Sequence, residues 1–194
     1  MDARYIKAVT VLPRQSKVCG RTLLPFCIRH RVVLESISSP FLDAAKGTFT
    51  AKDVVIAAKV LSSHDTQEMV KPFTIADRFH ILLLNNSRKR MLKAIAIIIG
   101  VMNDSCSYPK LWSNEENKGI EKIPWHLSCL TNLVRNGCTL EEAWTMPEGE
   151  AIWFSIANAI YNGSKIEVLS TDEEKELEKF DERIAAYKKA HQHN

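Results

Sequence analysis

The chain has 194 residues, enough to bury a core without disulfide or metal staples, and its 45% hydrophobic and 25% charged content is that of a soluble globular protein. Only seven glycines and seven prolines punctuate it, which fits long helices and speaks against many short strands. The net charge of +3 hides an asymmetry: residues 1–34 carry Arg4, Lys7, Arg14, Lys17, Arg21, Arg29 and Arg31 against the single acid Asp2, so the other 160 residues are net acidic. A basic start of this kind meets nucleic acid, an acidic partner or simply solvent.

Residues 1–24 read as a basic N-terminal arm. Tyr5 to Leu12 alternates loosely and is rich in β-branched residues, which predicts a short strand, hairpin or extended arm, and Pro13 and Gly20 bracket a loop. From Pro25 the period becomes helical, with Phe26, Ile28, Val32, Val33 and Ile37 on one side and Pro40 as a stop. Thr50 with Asp53, and Thr74 with Asp77, are capping pairs that open two further helices, one through Leu61 and one through Phe79, Leu82 and Leu83. After the polar patch Asn85–Arg90, the segment Met91–Met102 is apolar nearly all round, which predicts a helix at the centre of the core. Residues 25–105 thus form a helical core.

Residues 106–123, with Pro109, Asn114, Asn117 and Gly119, read as an exposed connection, and residues 124–194 as a C-terminal helical region. Pro124 opens a helix through Val134, and Gly137 suits the left-handed residue that closes it. Thr139 with Glu142 caps a short helix; Pro147 starts the next, which ends at Asn162–Gly163. A last helix begins at Ser170 or Thr171. Its Leu177, Phe180, Ile184 and Tyr187 form a narrow stripe amid alternating charge, a docking seam for the protein's own domain or for a partner. The fold class is all-α.

Five cysteines stand at 19, 27, 106, 129 and 138 without a CxxC pair, and the N-terminus lacks the order of a secretory signal, so reduced thiols in a cytoplasm are expected. The strongest apolar run, Ala94 to Met102, is about half the roughly 20 residues of a membrane span, so no membrane partner is expected. His126, Cys129 and Cys138 are spaced H-x2-C-x8-C, while Cys19, Cys27 and His30 lie far upstream. A structural zinc site shows two tight ligand pairs, and with one such pair no metal and no cofactor is expected.

No nucleophile elbow, cysteine nucleophile signature or Gly-rich phosphate loop occurs, and the acid pairs Glu115–Glu116, Glu141–Glu142 and Glu173–Glu174 suit helix starts and exposed faces. The expectation is a protein that is not an enzyme. A helix-turn-helix drawn over Thr139 onward fails, because its second helix opens Glu148-Gly149-Glu150 and would set like charge against phosphate. Arg88, Lys89, Arg90 and Lys93 offer a separate basic patch or a solvated face. Trp144, Trp153 and Phe154, beside a helix from Ala151 to Tyr161 that is apolar on nearly every side, belong either to the core or to an interface.

The segment RNGCTLEEAWTMPEGEAIWFSI, residues 135–156, resembles the closing region of tail assembly chaperones of tailed bacteriophages and prophages. LLPFCIRHRVVLESISSPFL, residues 23–42, is similar to phage structural-module proteins. The resemblance implies a helical protein of the infected host's cytoplasm that binds the tape measure or tail tube protein before assembly, some relatives carrying a frameshifted extension. Its partner-binding residues would be Trp144, Trp153, Phe154, Leu177, Phe180, Ile184 and Tyr187. A structural virion protein is the first alternative. A nucleic-acid-associated factor using residues 1–34 and 88–93 is the second, although nucleic acid is not the favoured partner.

Overall fold

In the computed structural model, residues 3–10, 16–43, 48–111 and 123–191 are described, with side chains to Tyr187. Leu12, Pro13, Arg14 and the polar run from Asn114 to Gly119 lie outside them. The described residues form ten helices and one two-stranded hairpin, an all-α architecture.

Helix α1 spans Ala3–Val9, and strands β1 (Lys17–Val18) and β2 (Arg21–Thr22) pair antiparallel about a turn at Cys19 and Gly20. Helices α2 (Ile28–Ser36), α3 (Ala51–Val60), α4 (Thr66–Val70), α5 (Ile75–Asn85) and α6 (Arg88–Ser105) follow. After the next connection come α7 (Trp125–Arg135), α8 (Leu140–Thr145), α9 (Glu148–Tyr161) and α10 (Thr171–His191).

The threonine signals work as read. Thr50, Thr74 and Thr139 each accept the backbone N–H three residues on, and Asp53, Asp77 and Glu142 return a bond to the cap's own N–H. Ser170 and Glu173 make the same exchange before α10. Helix α7 ends in a Schellman motif: Gly137, at φ +99°, donates to Val134, and Cys138 donates to Leu133.

Where a strand was expected over Tyr5–Leu12, Tyr5 to Val9 belong to α1, and residues 11 and 12 lie outside the described residues. A seven-residue helix is marginal alone and is held by packing. Ala8 is fully buried, and the Tyr5 ring meets Trp153 edge-on at 5.7 Å. The hairpin lies further along, and Arg21 ties it to α5 through Asp77 at 2.8 Å. Helix α6 is likewise not apolar to its neighbours all round. Ala94, Ile98, Val101 and Met102 are buried, but Leu92 is 56% exposed, because the elements packing on α6 cover one side of it.

Two apolar clusters hold the chain. The larger joins Leu23, Phe26, Leu34, Val54, Leu61 and Ile98 across α2, α3 and α6; the smaller joins Ile28, Cys129, Leu130, Leu133, Ala143 and Ala151. Helix α2 serves both, sending Leu34 into the first and Ile28 into the second. Lys110 and Leu111 are exposed, but residues 106–109 are not the exposed linker the composition implied: Cys106 to Tyr108 are half-buried and Pro109 is buried. They run along the junction of the two clusters, where the Tyr108 hydroxyl donates to Glu148.

Candidate functional site

Five of the basic side chains in residues 1–34 pair with acids far along the chain, while Lys17 is exposed. Arg4 pairs with Glu174 at 2.7 Å, Lys7 with Asp104 at 3.8 Å, Arg21 with Asp77 at 2.8 Å, and Arg29 forks onto Glu141 at 2.6 and 2.7 Å. Arg31 completes the set with Glu148, whose carboxylate has no exposed surface. Phe26 and Trp125 flank the Arg31 guanidinium at 5.3 and 5.6 Å. Burial works against the charged guanidinium, and Glu148 outweighs it, holding the Arg31 pKa above its ordinary value. Thus much of the positive charge of residues 1–34 is the counterpart of acids far along the chain. Glu148, which the sequence marks as an acidic helix start set against phosphate, is an interior group.

The seven predicted contact residues separate into inward and outward sets. Trp153 donates its indole N–H to the Ser107 carbonyl at 2.9 Å and packs on Tyr5, so it joins α9 to α1 and to the 106–111 segment. Trp144 lies under the Arg29 guanidinium and against the smaller cluster. Both are half-buried. Phe154, the next residue on α9, turns toward α7 and is 44% exposed. On α10, Leu177 is half-buried, while Phe180, Ile184 and Tyr187 are exposed. Lys110 and Arg4 hold the first turns of that helix, through Glu174 and Glu178.

Phe154 borders a groove of about 500 Å³ between α7 and α9. Leu133, Cys138, Met146, Ala157 and Tyr161 supply its apolar walls. Amides bind its two helices together: Asn132 donates to the Ser155 carbonyl at 2.9 Å, and its side-chain oxygen accepts from Asn136 and Asn158. Asn162 extends this ladder to Asn158 at 3.2 Å. The sequence reading passed over these asparagines, although their i, i+4 spacing on each helix was a legible signal. It also passed over the outer stripe of α5, where Ile75, Phe79 and Leu82 are 88%, 57% and 61% exposed.

The thiols and imidazoles distribute differently from the expectation. Cys129 is buried, with its sulfur 3.1 Å from the Ser155 hydroxyl, and it does not gather with His126 and Cys138 into a ligand group. Of the upstream residues, Cys27, which caps α2, and His30, in its first turn, gather with His64 from the α3–α4 turn, and Cys19 is not part of the group. Burial pushes the Cys27 thiol up to about 11 and the His30 imidazole down to about 4. Both are therefore neutral near pH 7, and Cys27 is not an activated nucleophile. All five cysteines are free.

No family model matches the chain, and neither the curated proteins nor the solved structures contain a significant match to it. No described helix is long and apolar enough to cross a membrane.

Proposed function

We propose that the protein is a non-enzymatic binding protein that holds an apolar segment of a partner in the α7–α9 groove. One observation carries the reading: two adjacent aromatics of α9 divide their work, Trp153 inward and Phe154 into an open apolar groove that Tyr161, 89% exposed, also lines. Exposed aromatics beside a concave apolar surface anchor protein interfaces. The raised thiol of Cys27 adds nothing to a catalytic reading.

The resemblance of residues 135–156 names the form this takes: a phage tail assembly chaperone acting in the host cytoplasm, with the tape measure or tail tube protein as partner. Co-expression with those proteins and affinity purification test it. The tape measure or tail tube protein should copurify with the wild type and be lost with Phe154→Ser/Tyr161→Ser at unchanged melting temperature. Recovery of neither protein by the wild type overturns the chaperone reading. Presence in purified particles would replace it with a virion component.

A second reading rests on the start of α6. Arg88, Lys89, Arg90 and Lys93 are exposed, and among the described residues no carboxylate pairs with them. Four cations near a helix N-terminus oppose the helix dipole, and a polyanion would relieve that opposition. Salt-dependent retention on DNA, removed by charge reversal at Arg90 and Lys93, would favour this nucleic-acid-associated role.

A further inference from the structure

We propose that Cys27, His30 and His64 form a binding site for a transition-metal ion of the zinc class. One ligand atom from each lies within 4.8 Å of the other two. A tetrahedral zinc ion with bonds of about 2.0–2.3 Å spaces its ligands roughly 3.3–3.8 Å apart, so modest side-chain rotations close the set. One thiolate and two imidazoles suit zinc and its cobalt surrogate, and poorly suit calcium or magnesium.

A second observation points to a ligand. The Nε2 atom of His64 is buried and has no hydrogen-bond partner. An orphaned buried polar atom of this kind is destabilising until it finds a partner. The neighbouring His30 is itself fully buried and stands 5.3 Å from the His64 ring, centre to centre. A cation held between the rings gives the orphaned His64 Nε2 the partner it lacks.

The surrounding bonds have the arrangement that metal-bound histidines use. His30 Nε2 lies 2.9 Å from the Ser63 carbonyl, while its Nδ1 accepts a longer bond from the Cys27 N–H at 3.3 Å. Ligating imidazoles commonly donate their second N–H to a backbone carbonyl, which fixes the ring. The Ser63 bond fills that role, and the ion would displace the longer Cys27 N–H bond to take the Nδ1 lone pair. The nearby Arg29 charge is occupied by Glu141, which accepts both prongs of its fork, so the approaching cation meets a compensated pair. Cys27 and His30 sit one helical turn apart at the start of α2, and Leu24 N–H to Leu61 C=O, at 2.7 Å, holds the chain leading to α2 against the end of α3. The ion would therefore staple α2 to the α3–α4 turn. The site is independent of the groove and of any partner held there.

The full-length protein, stripped with chelator, is titrated with Co²⁺ and the spectrum recorded. The expected result is one equivalent bound, with tetrahedral visible bands and a thiolate-to-cobalt band in the near ultraviolet, all displaced by Zn²⁺. Cys27→Ser removes the thiolate band, and His64→Gln weakens Co²⁺ binding by at least about tenfold. Because Cys27 is interior, the half-buried His64 supplies the folded test variant, and Zn²⁺ raises the melting temperature of the wild type but not of His64→Gln. Absence of cobalt bands in the wild type overturns the proposal. So does a thiolate band that survives Cys27→Ser.

Discussion

Arg31 and Glu148 stand 117 residues apart in sequence and form a buried two-pronged ion pair, with the guanidinium Nε and one terminal nitrogen each 2.6 Å from a carboxylate oxygen. The same terminal nitrogen reaches the Tyr108 hydroxyl at 3.2 Å, and the Glu148 N–H donates to the Phe26 carbonyl at 2.9 Å. One buried pair thus fixes α2, the 106–111 segment and the start of α9 together. Removing Arg31 leaves the Glu148 carboxylate an uncompensated interior charge, and removing Glu148 leaves the half-buried Arg31, among the described residues, with only the Glu35 carboxylate, 3.8 Å away. Glu148→Ala or Arg31→Ala should each lose roughly 3–5 kcal/mol in chemical denaturation, and the double variant less than the sum. Losses below about 1 kcal/mol for both singles would show that the pair does not hold the junction.

Gly149 lets α9 approach its neighbours. A Cβ there would meet the Ser105 carbonyl oxygen at 2.8 Å, the Ser107 nitrogen at 3.1 Å and Ala8 Cβ at 3.4 Å. Gly100, inside α6, has nothing within 4 Å of the same built atom. Alanine favours a helix over glycine by about 1 kcal/mol. Gly100→Ala should therefore raise the melting temperature, whereas Gly149→Ala should lower it, overpacking costing about 1–3 kcal/mol. Two shifts of the same sign would refute the close-approach account.

Asp77 gives an acid dependence. Burial acts to raise its pKa, but the Arg21 guanidinium and the Thr74 N–H and hydroxyl outweigh burial and hold it down to about 2, from 3.8. A depressed folded-state value stabilises the protein above the unfolded-state value, and that contribution is lost as the pH falls from about 4 through about 2. Melting curves between pH 6 and 2, in ~0.1 M salt, should show a shallower acid loss for Asp77→Asn than for the wild type. Parallel curves would count against the Arg21–Asp77 tie.

Trp153 and Phe154 separate packing from contact. Trp153→Ala removes the Tyr5 edge contact and the bond to Ser107, and should cost roughly 3 kcal/mol of stability. Phe154→Ser, at a 44% exposed position, should leave stability within about 1 kcal/mol of the wild type. A larger loss for Phe154→Ser than for Trp153→Ala, by calorimetry, would reverse the two roles.

Much of the helical order was legible from caps. Thr50, Thr74 and Thr139, each with an acid three residues on, begin helices because side-chain and backbone atoms within four residues complete the bonds. Gly137 ends α7 for an equally local reason. Helix α1 was misread because its β-branched residues favour a strand locally, while Ala8 and Tyr5 find their partners on α9. Helix α4 went unread because five residues leave no period to see.

The sequence by itself determined the all-α class and most helix boundaries, because those rest on contacts within a few residues. Which surfaces face inward was a different matter. The spacing of Trp153 and Phe154 treats them as equivalent apolar neighbours, yet one joins α1 and the other opens onto a groove. Nothing in the spacing links Arg31 to Glu148 or Cys27 to His64, and folding brought each pair together. Burial and pairing depend on partners tens to more than a hundred residues away, and only the tertiary structure decided them.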